Sequence, residues 1–451
     1  MSRLTTAVRE TVGHNRLVLR RWDLSSLVAG SFIGSLASVV VNLMLTIHVY
    51  QATGSSAIAV SALFVITFLP NLLIAPLCSG LADRWNRRLL LGACGLSRAA
   101  LCALLLAAWP LPVLLVLAFS ITSVNAIAKP ARYALAAQLV TGQQRVALNS
   151  LLMIMATSAG VIGGAVTGLL TSVSGRAVFG VMAALSVVGA LLDMVRFRDA
   201  PAPSYMAPDT CAGADRATTA DPGPRGPGLG AVGDGPGHGE APPAARGPSL
   251  PQRLLAGWRL VRYTPALLAL TVATTLLWFG LGVQEPLLVV FVDRVLEAPP
   301  ATYAYLATVG SIGGLLGAAI ATPLAANPPM AARSFSVGLI LAGLCFVAFA
   351  ASGGSVAIAF LLFFAFSASY GVSNVIDEYL EQEMSPDHLR ATVISTIGAI
   401  GTAGYLLGGA LTGFAASTIG AAATAAGVGG VIVVAGVYAL LTMRLPDGTA
   451  G

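Results

Sequence analysis

Apolar residues run along this chain in stretches of about 20, the length that carries a helix across a bilayer. Twelve such stretches stand out, at about 24–49, 57–79, 89–109, 111–137, 146–172 and 177–195, then 265–290, 302–325, 334–351, 355–380, 391–416 and 419–442. Several breaks are only a few residues long, as at 51–56, 109–112 and 352–354, so sequence neighbours must run antiparallel. Lipid offers no partner to a free backbone N–H or C=O, and helices satisfy their own. The pattern predicts an all-α integral membrane protein with twelve transmembrane helices.

Composition agrees and narrows the class. Of 451 residues, 56% are hydrophobic and 10% charged, whereas soluble domains carry about 25% charged residues. A soluble multidomain enzyme is excluded. The 50 glycines follow no collagen period; small residues at this density let membrane helices approach closely. The net charge of +6 is dispersed among apolar segments and forms no basic stripe with interleaved aromatics, so no nucleic-acid partner is expected. Cys78, Cys94, Cys102, Cys211 and Cys345 show no CxxC spacing, which argues against metal ligation and against a disulfide framework. Five arginines precede residue 22 and the first apolar run is too long for a signal-peptide core, so that run reads as a retained span.

Charge orients the helices. On this map about 20 of the 25 basic residues fall on one side, including the N-terminus, Arg84 to Arg88, Arg145, Arg333, Arg390 and Arg444, while Arg176 and Arg294 fall on the other. The positive-inside rule places both termini in the cytoplasm. Residues 200–250 break the pattern: about 20 of these 51 are Pro or Gly, as in a disordered cytoplasmic linker. The chain thus divides into a six-helix bundle over 1–199, the linker, and a second six-helix bundle over 251–451. Just after the linker, Leu254, Leu255, Trp258 and Val261 recur at helical spacing beside Arg253, Arg259 and Arg262. They suit either a basic amphipathic helix on the inner membrane surface or an extension of the seventh span.

The halves repeat. Arg145 to Leu169 reads RVALNSLLMIMATSAGVIGGAVTGL and Arg390 to Phe414 reads RATVISTIGAIGTAGYLLGGALTGF, which sets Gly164 and Gly168 against Gly409 and Gly413. Because a cytoplasmic Arg and a Gly box keep step, the pattern reads as duplication of a six-helix unit.

Two motifs carry mechanism. Between the second and third spans lies Gly80-Leu-Ala-Asp83-Arg84-Trp85-Asn86-Arg87-Arg88. Gly80 suits a tight exit from the helix, Asp83 a helix start whose N–H groups it accepts, Asn86 a left-handed turn, and the arginines pairing with carboxylates on neighbouring helices. This resembles the loop signature GxxxDRxGRR of the major facilitator superfamily, with Asn86 in place of Gly. In the fifth span Gly160, Gly164 and Gly168 line one face. That stripe permits close helix packing and resembles the superfamily's antiporter box GxxxGPxxGG, with Ala165 in place of Pro and Leu169 in place of the last Gly. Lys129-Pro130-Ala131-Arg132, Leu254-Leu-Ala-Gly-Trp-Arg259 and Gln382-Glu-Met-Ser-Pro-Asp-His-Leu-Arg390 look like counterparts in the enterobactin-exporter and macrolide-efflux branch. Ala391-Thr392 and the long linker depart from that branch.

The resemblance implies two parallel six-helix repeats, alternating access and secondary active, proton-driven efflux across a bacterial cytoplasmic membrane, by a monomer without cofactors. An amphipathic drug or secondary metabolite, including a siderophore, leads as cargo. A lysophospholipid flippase or importer of the same fold, and a non-transporting scaffold or receptor, remain open.

Ionisable residues within spans are functional candidates by default. Arg98 sits near the middle of the third span with no obvious carboxylate at its depth in the first six helices. It can hold an anionic substrate group, pair with an acid from the other half, or serve structurally. Proton coupling needs a group whose proton affinity changes between inward-facing and outward-facing environments. Glu285 is the first candidate, Asp377 and Glu378 the next; each also reads as a helix-end carboxylate. His48 reads as a solvated interfacial group and Asp23, beside Trp22, as an anchor at the inner surface. The sequence contains no P-loop, HExxH or GxSxG motif, so neither an ATPase within this chain nor an enzyme is expected.

Overall fold

The computed structural model describes residues 21–84, 86–107, 109–140, 143–173, 176–194, 258–325, 327–386 and 389–443. They form twelve long helices. The first six are α1 (Trp22–Ala52), α2 (Ala57–Arg84), α3 (Arg87–Leu104), α4 (Leu111–Leu139), α5 (Gln143–Val173) and α6 (Ala177–Met194). The last six are α7 (Pro265–Arg294), α8 (Ala301–Leu324), α9 (Pro328–Ala350), α10 (Val356–Glu383), α11 (Arg390–Thr418) and α12 (Ala421–Thr442). A short helical stretch over 258–263 precedes α7. Among the described residues eleven helices are long and apolar enough to cross a membrane. The exception, α3, carries Arg87, Arg88 and Arg98 within 18 residues. The expected linker over 200–250 lies outside the described residues.

Helix ends depart from the hydropathy map where local chemistry decides them. The third helix stops at Leu104 rather than near 109, and the Trp109 indole donates to the Leu104 carbonyl at 2.7 Å, satisfying one of the free C-terminal acceptors. The ninth begins at Pro328 rather than near 334: Asn327 Oδ1 accepts from the Met330 N–H at 2.9 Å, and the prolines at the first helical positions have no N–H to satisfy. After α10, Arg390 Nε donates to the Gln382 carbonyl at 3.1 Å, so the Arg that opens the second repeat caps the preceding helix.

Each set of six packs the same way. In the first set the closest pairs are α1 with α5, α2 with α4, and α3 with α6; in the second they are α7 with α11, α8 with α10, and α9 with α12. The two sets meet mainly through α5 against α8 and α2 against α11, which are equivalent pairs under the repeat. Thr167 and Thr412, aligned in the two Gly boxes, are both buried and both donate to the carbonyl four residues back, at 2.7 and 2.9 Å.

The cores differ. The last six helices share one large cluster rich in rings, with Phe291 and Phe349 stacked at 4.3 Å. The first six hold two aliphatic clusters: one includes Leu91, Cys94 and Leu148, the other Leu45, Cys102 and Phe179. Arg98 lies between Cys94 and Cys102 on α3, so a buried polar layer separates the two. Val261, from the short stretch before α7, packs with Leu267, Val393 and Ile397, while Trp258 is exposed. This stretch is anchored to α7 and α11 through Val261.

Candidate functional site

The glycine faces bring the halves together. On α5, Gly160 faces Ser311 of α8, Gly164 faces Ala304 and Thr308, and Gly168 faces Tyr305. A methyl group on Gly164 would lie 2.8 Å from the Ala304 carbonyl oxygen and 3.0 Å from the Thr308 amide, so the bare backbone sets how closely the helices approach. On α11, Gly409 meets the Phe64 ring of α2, and a methyl group on Gly413 would lie 2.6 Å from Ile58 Cα. The contacts of Gly164, Gly168, Gly409 and Gly413 sit toward the end of the bundle that carries the α1–α2 and α7–α8 loops, and that of Gly160 lies deeper. Hydrogen bonds join the halves there, among them Tyr50 Oη donating to Asp293 at 2.8 Å and Arg294 donating to the Ser55 carbonyl at 2.8 Å.

Beneath this closed end, Tyr405 of α11 reaches across to Phe64 and Phe68 of α2, with ring centroids 5.1 and 5.0 Å apart, and meets Trp278 of α7 edge-on. Phe68, Trp278 and Tyr405 border a cavity of about 610 Å³ between the halves, lined by α1, α2, α5, α7, α8, α10 and α11. Phe68, Trp278, Tyr303, Phe363, Tyr370 and Tyr405 are among its lining residues, and Asn42, Gln284, Ser311 and Ser367 supply neutral polar groups. Glu285 is the cavity's one carboxylate and is exposed within it. Since Pro286 lies inside α7, the Gln-Glu-Pro segment is interior to the helix rather than at its end, which rules out the helix-end reading of Glu285.

The other charged candidates are placed differently. On α10, Asp377 is buried and accepts from Thr274 of α7 at 2.6 Å, whereas Glu378, next along the chain, is exposed. Adjacent helical residues point about 100° apart, so the two face different surroundings. Arg98 is buried; its Nε donates to Ser186 at 3.1 Å and its Nη1 to Asn125 at 3.4 Å. The expectation that the first six helices hold no carboxylate near Arg98 is overturned by Asp193 of α6, buried and paired with Arg132 of α4 at 2.9 Å. Arg132 belongs to the Lys-Pro-Ala-Arg stretch, so that stretch contributes to a buried charge cluster. Asp193 escapes a sequence reading because it ends an otherwise unbroken apolar run. His48 packs edge-on against Phe179 at 6.4 Å beside the closed end and is only half-buried.

The α2–α3 loop is built differently from its sequence expectation. Gly80 does not release the helix, because α2 continues through Asp83 to Arg84. Asp83 therefore ends a helix instead of starting one, and the N-cap of α3 is Asn86, whose Oδ1 accepts from the Arg88 N–H at 3.2 Å. Asn86 has φ of −64° and ψ of 109°, extended rather than left-handed, as an N-cap requires. The side chains of 75–85 and of Asp23 lie outside the described residues. Among the described residues no group of three or more His, Cys, Asp or Glu is placed to hold a metal ion. Cys94, Cys102 and Cys345 form no disulfide among the described residues.

Two equivalent sets of six helices, eleven of the twelve long and apolar enough to cross a membrane, joined across one end and enclosing a cavity between them, define a multi-pass membrane transporter. The chain belongs to the Major Facilitator Superfamily, whose family model matches residues 27–408. Transport in this superfamily needs no cofactor. Among solved structures the fold is similar to a bacterial homolog of the human lysosomal transporter Spinster in an inward-facing, unoccupied conformation (16% identity, TM-score 0.62, covering 94% of this chain and 95% of that one). It is also similar to the nucleoside transporter NupG (12%, TM-score 0.70, 94% and 99%). A third is a bacterial homologue of the iron transporter ferroportin in an inward-facing state (13%, TM-score 0.65, 93% and 98%). At these identities the likeness speaks to fold alone. No curated protein sequence matches the chain.

Proposed function

We propose that this protein is a proton-coupled antiporter that exports small amphipathic molecules across a bacterial cytoplasmic membrane by alternating access. The observation that carries this reading is the cavity between the halves, lined by aromatic and aliphatic side chains and bearing a single carboxylate, Glu285. Rings without a fixed hydrogen-bonding pattern suit amphipathic cargo of varied shape, such as a drug or secondary metabolite, siderophores included. A carboxylate exposed within that cavity can exchange a proton for a cargo molecule as the environment around it changes.

In this reading all twelve helices span the membrane, α3 included, the two six-helix units act as the moving bodies, and both termini lie in the cytoplasm. The end joined by the glycine faces is then extracellular, and the structure is an inward-facing state. The protein works as a monomer, since each copy has its own cavity. Gly80, Asp83, Arg84, Asn86, Arg87 and Arg88 gate the cytoplasmic end, which closes when the outer end opens.

The test is transport by the purified protein in proteoliposomes under an imposed pH gradient, with lipophilic cations, macrolides and catecholate siderophores as the panel. Gradient-driven flux of one class, lost in Glu285→Gln, is the expected result. Flux of lysophospholipid or uptake in the opposite sense would replace the export reading, and binding with no flux for any compound would favour a receptor or scaffold.

A further inference from the structure

A second cavity, of about 310 Å³, lies within the first six helices between α1, α3, α4 and α5. Its wall carries Arg98, Lys129 and Arg132 together with Asn125, Tyr133 and serines of α1. Arg98 is only 5% exposed, and the partners named for it, Ser186 and Asn125, are neutral. Arg132 pairs with Asp193 at 2.9 Å, and Asp193 also attracts Arg98, so one carboxylate serves both guanidiniums. Lys129 is exposed and makes no hydrogen bond among the described residues. The other walls add no acid: the α1 lining is Ser31, Gly34, Ser35, Ser38 and Val39, and the α5 lining is Leu152 and Ala156. Three cations thus face one carboxylate.

Burying two guanidiniums is costly unless opposite charge matches both, and one shared carboxylate with neutral hydrogen bonds leaves them short of it. The planar fork of Arg fits the two oxygens of a carboxylate or phosphate. The α1 wall keeps space for the guanidinium, because a methyl group on Gly34 would lie 3.3 Å from Arg98 Nη1. Val39 lines this cavity and the central one alike, so the two adjoin.

We propose that Arg98 and Lys129 form an oxyanion subsite that receives a carboxylate or phosphate group of the cargo while its apolar body lies among the rings of the central cavity. The proposal rests on the transporter reading and names its substrate class: amphiphiles with an oxyanion head. Arg132, held by Asp193, positions the pocket rather than binding.

The test is equilibrium binding to the full-length protein in dodecyl maltoside, without any gradient, of octyl phosphate, octanoate and octyltrimethylammonium. The expected result is that the anions bind more tightly than the cation. Lys129→Gln weakens anion binding by about tenfold and Arg98→Gln by more, up to about a hundredfold, as loss of a charge-assisted hydrogen bond implies. Arg98→Lys falls between. The relative affinities of octyl phosphate and octanoate report whether a phosphate or a carboxylate head is the better match. Because Lys129 is exposed, its substitution tests the site even where Arg98→Gln fails to fold. Anion affinity equal in wild type and Lys129→Gln, or cation binding as tight as anion binding, overturns the subsite. Intact anion binding without gradient-driven flux would count against the transport reading alone.

Discussion

The two ends of the bundle present different chemistry from one half to the other. At the end carrying the α1–α2 loop, α5 and α11 present glycines to α8 and α2, and contact is made by backbone against backbone and by rings such as Phe64 and Tyr405. At the opposite end the first half presents Lys129 and the second presents Glu378 and Glu383, all exposed. Between described residues no hydrogen bond crosses the halves at that end. Shape complementarity acts only in contact, while charge acts over several ångströms. A molecule built this way can release one end and draw the other together without carrying two sets of tight interfaces at once.

The comparison can be broken most severely beneath the charged end. Asp193→Ala leaves Arg132 without its carboxylate in a buried site, and the expected loss is about 3–5 kcal/mol. Thermal unfolding of the purified protein measures it, and replacing both partners with apolar residues should recover most of the loss.

Gly164→Leu comes next. Its side chain has no space against Ala304 and Thr308, and overpacking of this kind costs about 1–3 kcal/mol. The cost falls on the state in which α5 and α8 touch, so a cysteine placed at that end should become more reactive toward a maleimide while the overall fold persists.

Tyr50→Phe removes only the hydrogen bond to Asp293. An effect of about 0.5–1.5 kcal/mol, in the same direction, is expected in the same labelling assay. Smallest is Glu378→Gln: an exposed charge contributes less than about 1 kcal/mol to stability. Its expected signature is a change in the salt dependence of flux with an unchanged melting temperature.

Much of the fold is legible in the hydropathy pattern, since every apolar run of about 20 residues becomes a helix. The boundaries that differ are those decided by single side chains, as where Asn327 caps α9 and Trp109 closes α3. The Gly boxes stand out in the sequence, and their four-residue spacing puts them on one face; that they face the opposite half depends on tertiary packing, which spacing does not carry. Glu285 is visible as a lone acid in an apolar run, but its place in a cavity follows from how α7 turns in the bundle. The Arg132–Asp193 pair joins residues 61 apart on α4 and α6, and nothing local in either segment marks it. The Gly80–Arg88 loop shows the converse: its residue pattern is plain, yet the capping residue is Asn86 rather than Asp83, because α2 runs one turn further than Gly80 suggests.

The central claim is that the two ends alternate. Spin labels at Ile58 and Phe414 report the end joined by the glycine faces, and labels at Tyr133 and Glu378 report the other; all four positions are exposed. Distances between each pair, measured by double electron–electron resonance in lipid with and without a transported compound and at neutral and acidic pH, test the claim directly. The account predicts that the Ile58–Phe414 distance lengthens as the Tyr133–Glu378 distance shortens. Two distances that stay fixed under every condition, or that lengthen together, would contradict it.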